Sequence, residues 1–184
     1  MRIKRLWLAL FAASAVGAAC GEGHVIFNID VFSFLSGAKN DTLHYTVPAT
    51  LGGTTQIPPI KVNLLSGSGS SKVDTVVISG SAAVHNLTGG PGKLVFRLYF
   101  AADSNAVYTS VPVLADSSGA GPGAVDSTMV FSATLTAATD SLFLQPHLFV
   151  GMKATVTNPS ATTLDGKLQL TALNLRVVIA DKIF

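Results

Sequence analysis

Cysteine is almost absent from this chain of 184 residues, where Cys20 stands alone. With no second thiol after it, no intrachain disulfide can staple the fold, so stability has to come from a hydrophobic core. Glutamate is as scarce. Glu22 is the only one, which makes the paired-carboxylate chemistry of glycoside hydrolysis a poor fit. The single tryptophan is Trp7, so beyond the first residues the aromatic hydroxyl platforms reduce to Tyr45, Tyr99 and Tyr108. Charged residues make up only 12% of the chain. Three of the twelve basic residues, Arg2, Lys4 and Arg5, crowd the start; the other nine stand against ten acidic ones. The body therefore carries a net charge of −1, and its lysines and arginines are scattered along the sequence, which excludes nucleic acid as the expected partner.

Catalytic and metal spacings are missing too. The Gly/Ser pairs at 66–71 and 79–81 never form the G-x-S-x-G of a nucleophile elbow. "GGPGK" at 89–93 lacks the leading glycine and the hydroxyl residue of a phosphate loop, and Leu94 follows Lys93. His24, His44, His85 and His147 lie far apart, with no pair at zinc-ligand spacing. Asp103, Asp116, Asp126, Asp140 and Asp165 fit turns better than a calcium loop, whose ligands are densely spaced. No catalytic residue and no metal ligand is expected, and no cofactor beyond a covalent lipid considered next.

What is present begins with MRIKRLWLALFAASAVGAAC. A basic start, a short apolar segment from Leu6 to Phe11 and a run of small residues have the layout of a helical secretory signal peptide. The apolar part is too short for a comfortable span, which takes about 20 residues. Val16-Gly17-Ala18-Ala19-Cys20 resembles the lipobox of bacterial lipoproteins, a likeness confined to the first 20 residues. Gly17 stands where that family usually has leucine. The resemblance implies cleavage before Cys20 and lipid on its sulfur and amino group, with two or three acyl chains sufficing for stable anchoring. It implies a place in the cell envelope. Gly21, where an inner-membrane protein would carry aspartate, favours the outer membrane. The alternative is ordinary cleavage and secretion, leaving Cys20 as a thiol.

The body alternates. Val25, Phe27, Ile29 and Val31 share one parity, and Leu94, Phe96, Leu98 and Phe100 do so most clearly. Met129 to Leu135, Val150 to Val156 and Leu173 to Ile179 follow the same period of two. Shorter strands are expected at 43–47 and 60–65 and a longer one at 73–87, kinked near Gly80. The parity switch at Phe32 and Phe34 predicts a bulge or a strand end, 115–127 a long surface loop, and 139–144 the one short helical turn. The pattern predicts an all-β antiparallel sandwich of about eight to ten strands, with immunoglobulin-like or jelly-roll topology open. The organisation expected is a signal peptide over 1–19, a lipid-anchored tether over 20–24 and one domain over 25–184.

"SLFLQPHLFVGM" at 141–152 concentrates Leu142, Phe143, Leu144, Leu148 and Phe149 around Pro146. This is either a core corner between sheets or an interaction surface for a partner or membrane. The function expected is a membrane-anchored, non-catalytic β-sandwich that binds or builds at the envelope. A protein partner or self-association fits a second reading, a fibre or assembly subunit joined through its terminal strands, at His24 onward and at "LNLRVVIADKIF". A loop-based hydrolase is the third, to be revived if His44, His85 or His147 met an aspartate in a cleft.

Overall fold

The computed structural model describes residues 22–64, 72–88, 90–120, 126–135 and 140–182. The signal segment, Cys20 and the glycine-serine turn at 66–71 lie outside them. Among the described residues ten strands are formed: β1 (Glu22–Asp30), β2 (Thr42–Val47), β3 (Gly52–Gln56), β4 (Ile60–Asn63), β5 (Lys72–Asn86), β6 (Gly92–Ala101), β7 (Leu114–Ala120), β8 (Asp126–Leu135), β9 (His147–Thr157) and β10 (Leu164–Lys182). Two short helices, α1 (Val31–Gly37) and α2 (Asp140–Phe143), interrupt them. All pairings are antiparallel.

The pairing is nested. β1 and β2 pair with β10, β3 and β4 with β9, β5 with β8, and β6 with β7. Sheet A then runs β1/β2–β10–β5–β8 and sheet B runs β3/β4–β9–β6–β7. A chain folded double on itself and rolled into two facing sheets is a jelly roll, which resolves the topology left open by the sequence. The two outermost strands are each broken. α1 separates β1 from β2, and Pro58-Pro59, which have no N–H to give a ladder, separate β3 from β4.

One core joins both sheets. Phe96 and Leu98 of sheet B belong to the same buried cluster as Phe131, Ile78 and Leu175 of sheet A, and the Phe96 and Phe131 rings lie 5.4 Å apart. Leu168, Leu170 and Leu173 of β10 are fully buried. At Gly80, a Cβ would fall 2.6 Å from the Ala172 carbonyl and against the Phe131 ring, so only glycine lets β5, β8 and β10 close there. The expected kink in β5 is instead an irregularity in its neighbour, where the β10 register shifts between Leu170 and Ala172.

β1 ends at Asp30, the strand end that the parity switch allowed, and a helix that the sequence reading did not expect, α1, follows it. Asp30 caps it by accepting from the Ser33 amide, and Val31 and Leu35 bury one side. α1 closes with the paired bonds Lys39 N to Ser36 O and Asn40 N to Leu35 O, with Lys39 in the left-handed region at φ 58°. Of the loop expected over 115–127, residues 121–125 lie outside the described ones and the rest is strand, since β7 reaches Ala120 and β8 begins at Asp126. The C-terminal segment is not an edge. Residues 174–180 of β10 are hydrogen-bonded to β1 on one side and to β5 on the other. Glu22 and Gly23, within the segment expected as a tether, pair with Lys182 and Asp181.

Candidate binding face

The outward positions of sheet B collect what the linear sequence disperses. On β6 these are Lys93, Val95, Arg97 and Tyr99; on β9, Phe149, Gly151, Lys153, Thr155 and Thr157. β3 adds Thr54 and Gln56, and β4 adds Lys61. Arg97 and Lys153 are direct cross-strand partners. Like charges placed opposite one another on a sheet repel. No outward position of sheet B among the described residues carries Asp or Glu, and no salt bridge forms here to offset the repulsion. Arg97 Nη1 donates instead to Thr155 Oγ1 at 3.2 Å, which lays the guanidinium along the face. Lys93 follows on the same strand, about 13 Å further at the usual rise per residue. Four of the nine basic residues beyond the first five therefore share one acid-free face. The expectation of scattered cations holds in sequence but not in space.

The other end of this face is roofed. Ser104–Ala106 forms a single 3-10 turn, capped by Asp103 accepting from the Asn105 amide at 2.7 Å. The turn carries Val107 and Tyr108 over Gly151, where any Cβ would clash with both. Tyr99, Ala101 and Val107 form a small second core with Tyr108 and Phe149 against it, and the Tyr99 and Tyr108 rings meet edge-on at 5.4 Å. Tyr108 donates to the Ile57 and Met152 carbonyls. Burial pushes its hydroxyl pKa up to about 12. A tyrosine with a raised folded pKa stabilises the fold below its unfolded value of 10 and loses that contribution as pH climbs toward 12. Tyr108→Phe is expected to cost about 1–2 kcal/mol in neutral urea melts and to flatten the alkaline fall in stability. An unchanged alkaline limb would assign that fall to Tyr45, whose pKa burial also raises.

Of the five residues singled out as a possible interaction surface, four pack against the main core and Phe149 lies on the outer face of sheet B. Phe143 and Leu148 are buried in the main core, and Phe143 meets Phe100 edge-on at 5.9 Å. Leu142 and Leu144 are half-buried against that core, and Phe149 supports the second one. α2 and the start of β9 thus form a corner between the sheets. The histidines remain dispersed. His44 and His85 flank Lys167 on the outer face of sheet A, with Asp126 next in register. That row crosses an open sheet, not a cleft. His44 also borders a groove of about 250 Å³ between β2 and β3, while His147 stacks on Phe149 of the other sheet. Among the described residues no three His, Cys, Asp or Glu converge as metal ligands. Tyr45 and Tyr99 are buried, so neither offers a ring for stacking.

Two buried asparagines escaped the sequence reading. Asn86 donates to the Gly90 carbonyl at 2.6 Å and accepts from Thr88. Asn158, 1% exposed, donates to the carbonyls of Val47, Pro48 and Thr162 and accepts from the Ser160 amide and hydroxyl. It ties the ends of β2 and β9 to the start of β10, at the rim where Thr157 and Lys93 lie. The Asn-Pro-Ser of 158–160 was the available signal.

No family model matches the chain, and no curated protein matches it. Solved structures similar to it include that of the infectious bursal disease virus Gx strain, at 11% identity and a TM-score of 0.38, covering 89% of this chain and 38% of that one. TmCBM61 in complex with beta-1,4-galactotriose aligns at 8% identity and 0.35, over 80% and 81%. The non-crystalline cellulose specific carbohydrate-binding module CBM28 aligns at 10% and 0.37, over 72% and 71%. The chain spans little more than a third of the viral protein's length. These are likenesses of an all-β sandwich fold alone.

Proposed function

We propose that this chain is an exported protein, lipid-anchored at Cys20 in the cell envelope, whose jelly roll works by binding an extended anionic polymer instead of by catalysis. The observation that carries the binding reading is the Arg97–Lys153 pair on an acid-free face. Like charges directly opposite one another destabilise a sheet, and a bound anion would offset that cost. The Lys93 to Arg97 spacing suits a ligand longer than one small ion. The bilayer itself is a poor occupant. β1 enters the ladder at Glu22, so the anchor would hold sheet A beside the membrane, while the cationic face belongs to sheet B, about 10 Å away across the core.

The binding test uses heparin and neutral dextran as probes. Heparin should be retained at low salt and released as salt screens the contact. Replacing Arg97 and Lys153 together by glutamine should weaken retention roughly tenfold or more, since each lost charge-assisted contact is worth about 1.5–3 kcal/mol. Lys167→Gln with Arg176→Gln, on the opposite sheet, should leave it unchanged. Equal binding of dextran, or equal loss in the sheet A variant, would sink the reading. The anchor is tested separately by intact mass of the membrane-extracted protein, which should show lipid on Cys20, and by Cys20→Ser, which should leave the membrane fraction.

A further inference from the structure

We propose that β1 is a self-pairing edge, and that two copies of this chain join through antiparallel β1–β1′ contact about a two-fold axis at Phe27. This stands on the fold and is independent of the anion-binding face. β1 is nine residues long and keeps an unbroken register with β10 from Glu22 to Asp30. Among the described residues its other side pairs with nothing. Natural edges of that length are blunted by lysine, proline, a bulge or a covering loop. β1 has none of the first three, whereas β3 and β4 are short and flank Pro58-Pro59, and β2 runs into Pro48. Val25 and Ile26 are 45% and 49% exposed, and the core-facing Phe27 and Ile29 are only half-buried.

The occupant follows from the sequence of the strand. Keeping both cores on the same side of a joined sheet requires residues of equal parity to face each other. Centring on Ile26 would set Glu22 against Asp30 of the other copy, acid on acid. Centring on Phe27 sets Phe27 on Phe27, Val25 on Ile29, Ile26 on Asn28 and His24 on Asp30, the last three twice by symmetry. The apolar pairs extend the main core across the joint, and the His24–Asp30 pairs close both ends. Asp30 uses Oδ1 to cap α1 at 3.2 Å from the Ser33 amide, and Oδ2 is the oxygen offered to His24. The strand is therefore complementary to itself in one register.

The test is cross-linking of the full-length protein in its native membrane. In this register the two Phe27 Cα atoms come within about 4.5–5.5 Å, inside disulfide range. Phe27→Cys should give a covalent dimer on mild oxidation. Val25→Cys should not, because the two positions stand four residues out of register, while Val25→Cys with Ile29→Cys should. The same series in a Cys20→Ser background, run on the protein released from the membrane, controls for the native thiol. Ile26→Lys points outward and leaves the β10 ladder intact, so it should fold and raise the dimer dissociation constant roughly tenfold or more in sedimentation of detergent-extracted protein. A monomer at all concentrations, or cross-linking of Val25→Cys as efficient as that of Phe27→Cys, overturns the proposal. Capture of a different protein by Phe27→Cys, without homodimer, overturns it equally.

Discussion

Phe96→Ala should destabilise the fold by about 3–5 kcal/mol, the usual cost of deleting a fully buried phenylalanine. Phe96 is wholly buried at the middle of sheet B, and its ring meets Phe131 of sheet A at 5.4 Å. The cavity would open at the junction of the two sheets, where the strands on either side are locked in ladders and cannot collapse into it. Against a total stability of about 5–15 kcal/mol, this is a large fraction. The midpoint of urea unfolding should fall with little change in slope, and the melting temperature should drop by roughly 10 °C or more. Phe96→Leu should lose less than half as much. A shift below about 1 kcal/mol for the alanine variant would mean that the two sheets do not share one core.

Asn158→Ala should cost about 2–4 kcal/mol although it removes no apolar contact. Its amide donates to three carbonyls from two segments, and its carbonyl accepts from Ser160 twice. Two hydrogens serve three acceptors, so the Nδ2 bonds are partly shared. Truncation leaves buried groups unpaired, which is more expensive than the net value of the bonds themselves. Asn158→Asp separates packing from donation. It keeps the acceptor toward Ser160 but turns an oxygen toward carbonyl oxygens, so it should be at least as damaging as alanine at neutral pH. Protonation would restore one donor, and its deficit relative to the parent should therefore shrink as pH falls. A deficit independent of pH would show that the amide donors are not what the site requires.

The sheets were legible because an inward residue at every second position needs no knowledge of topology. Leu94, Phe96, Leu98 and Phe100 declare β6 by themselves. β3 was missed because Gly-Gly-Thr-Thr-Gln has no apolar parity to read, and β7 because Ala-Asp-Ser-Ser-Gly-Ala resembles a turn. α1 escaped for a related reason. At seven residues it shows one i, i+4 pair, Val31 and Leu35, and Lys39 fills the left-handed position where glycine would have announced the end. The strand order decided the rest. Nothing in the chain says that Arg97 and Lys153 are neighbours; only the pairing of β6 with β9 does. The same pairing of distant segments buried Phe143 and Leu148 of the 142–149 cluster, whose apolar density alone fits a core corner and a docking loop equally well.

β10 has a consequence in time. It is the shared partner of β1, β2 and β5, so three strands made earlier wait for the one made last. Nested pairing of this kind puts most contacts between remote parts of the chain, and loop closure must be met before those contacts repay it, which makes folding slow. Sheet A thus cannot be completed until β10 joins it, because β1 and β2 have no other strand partner among the described residues. If the chain is exported as proposed, such a delay would keep its body threadable before it folds.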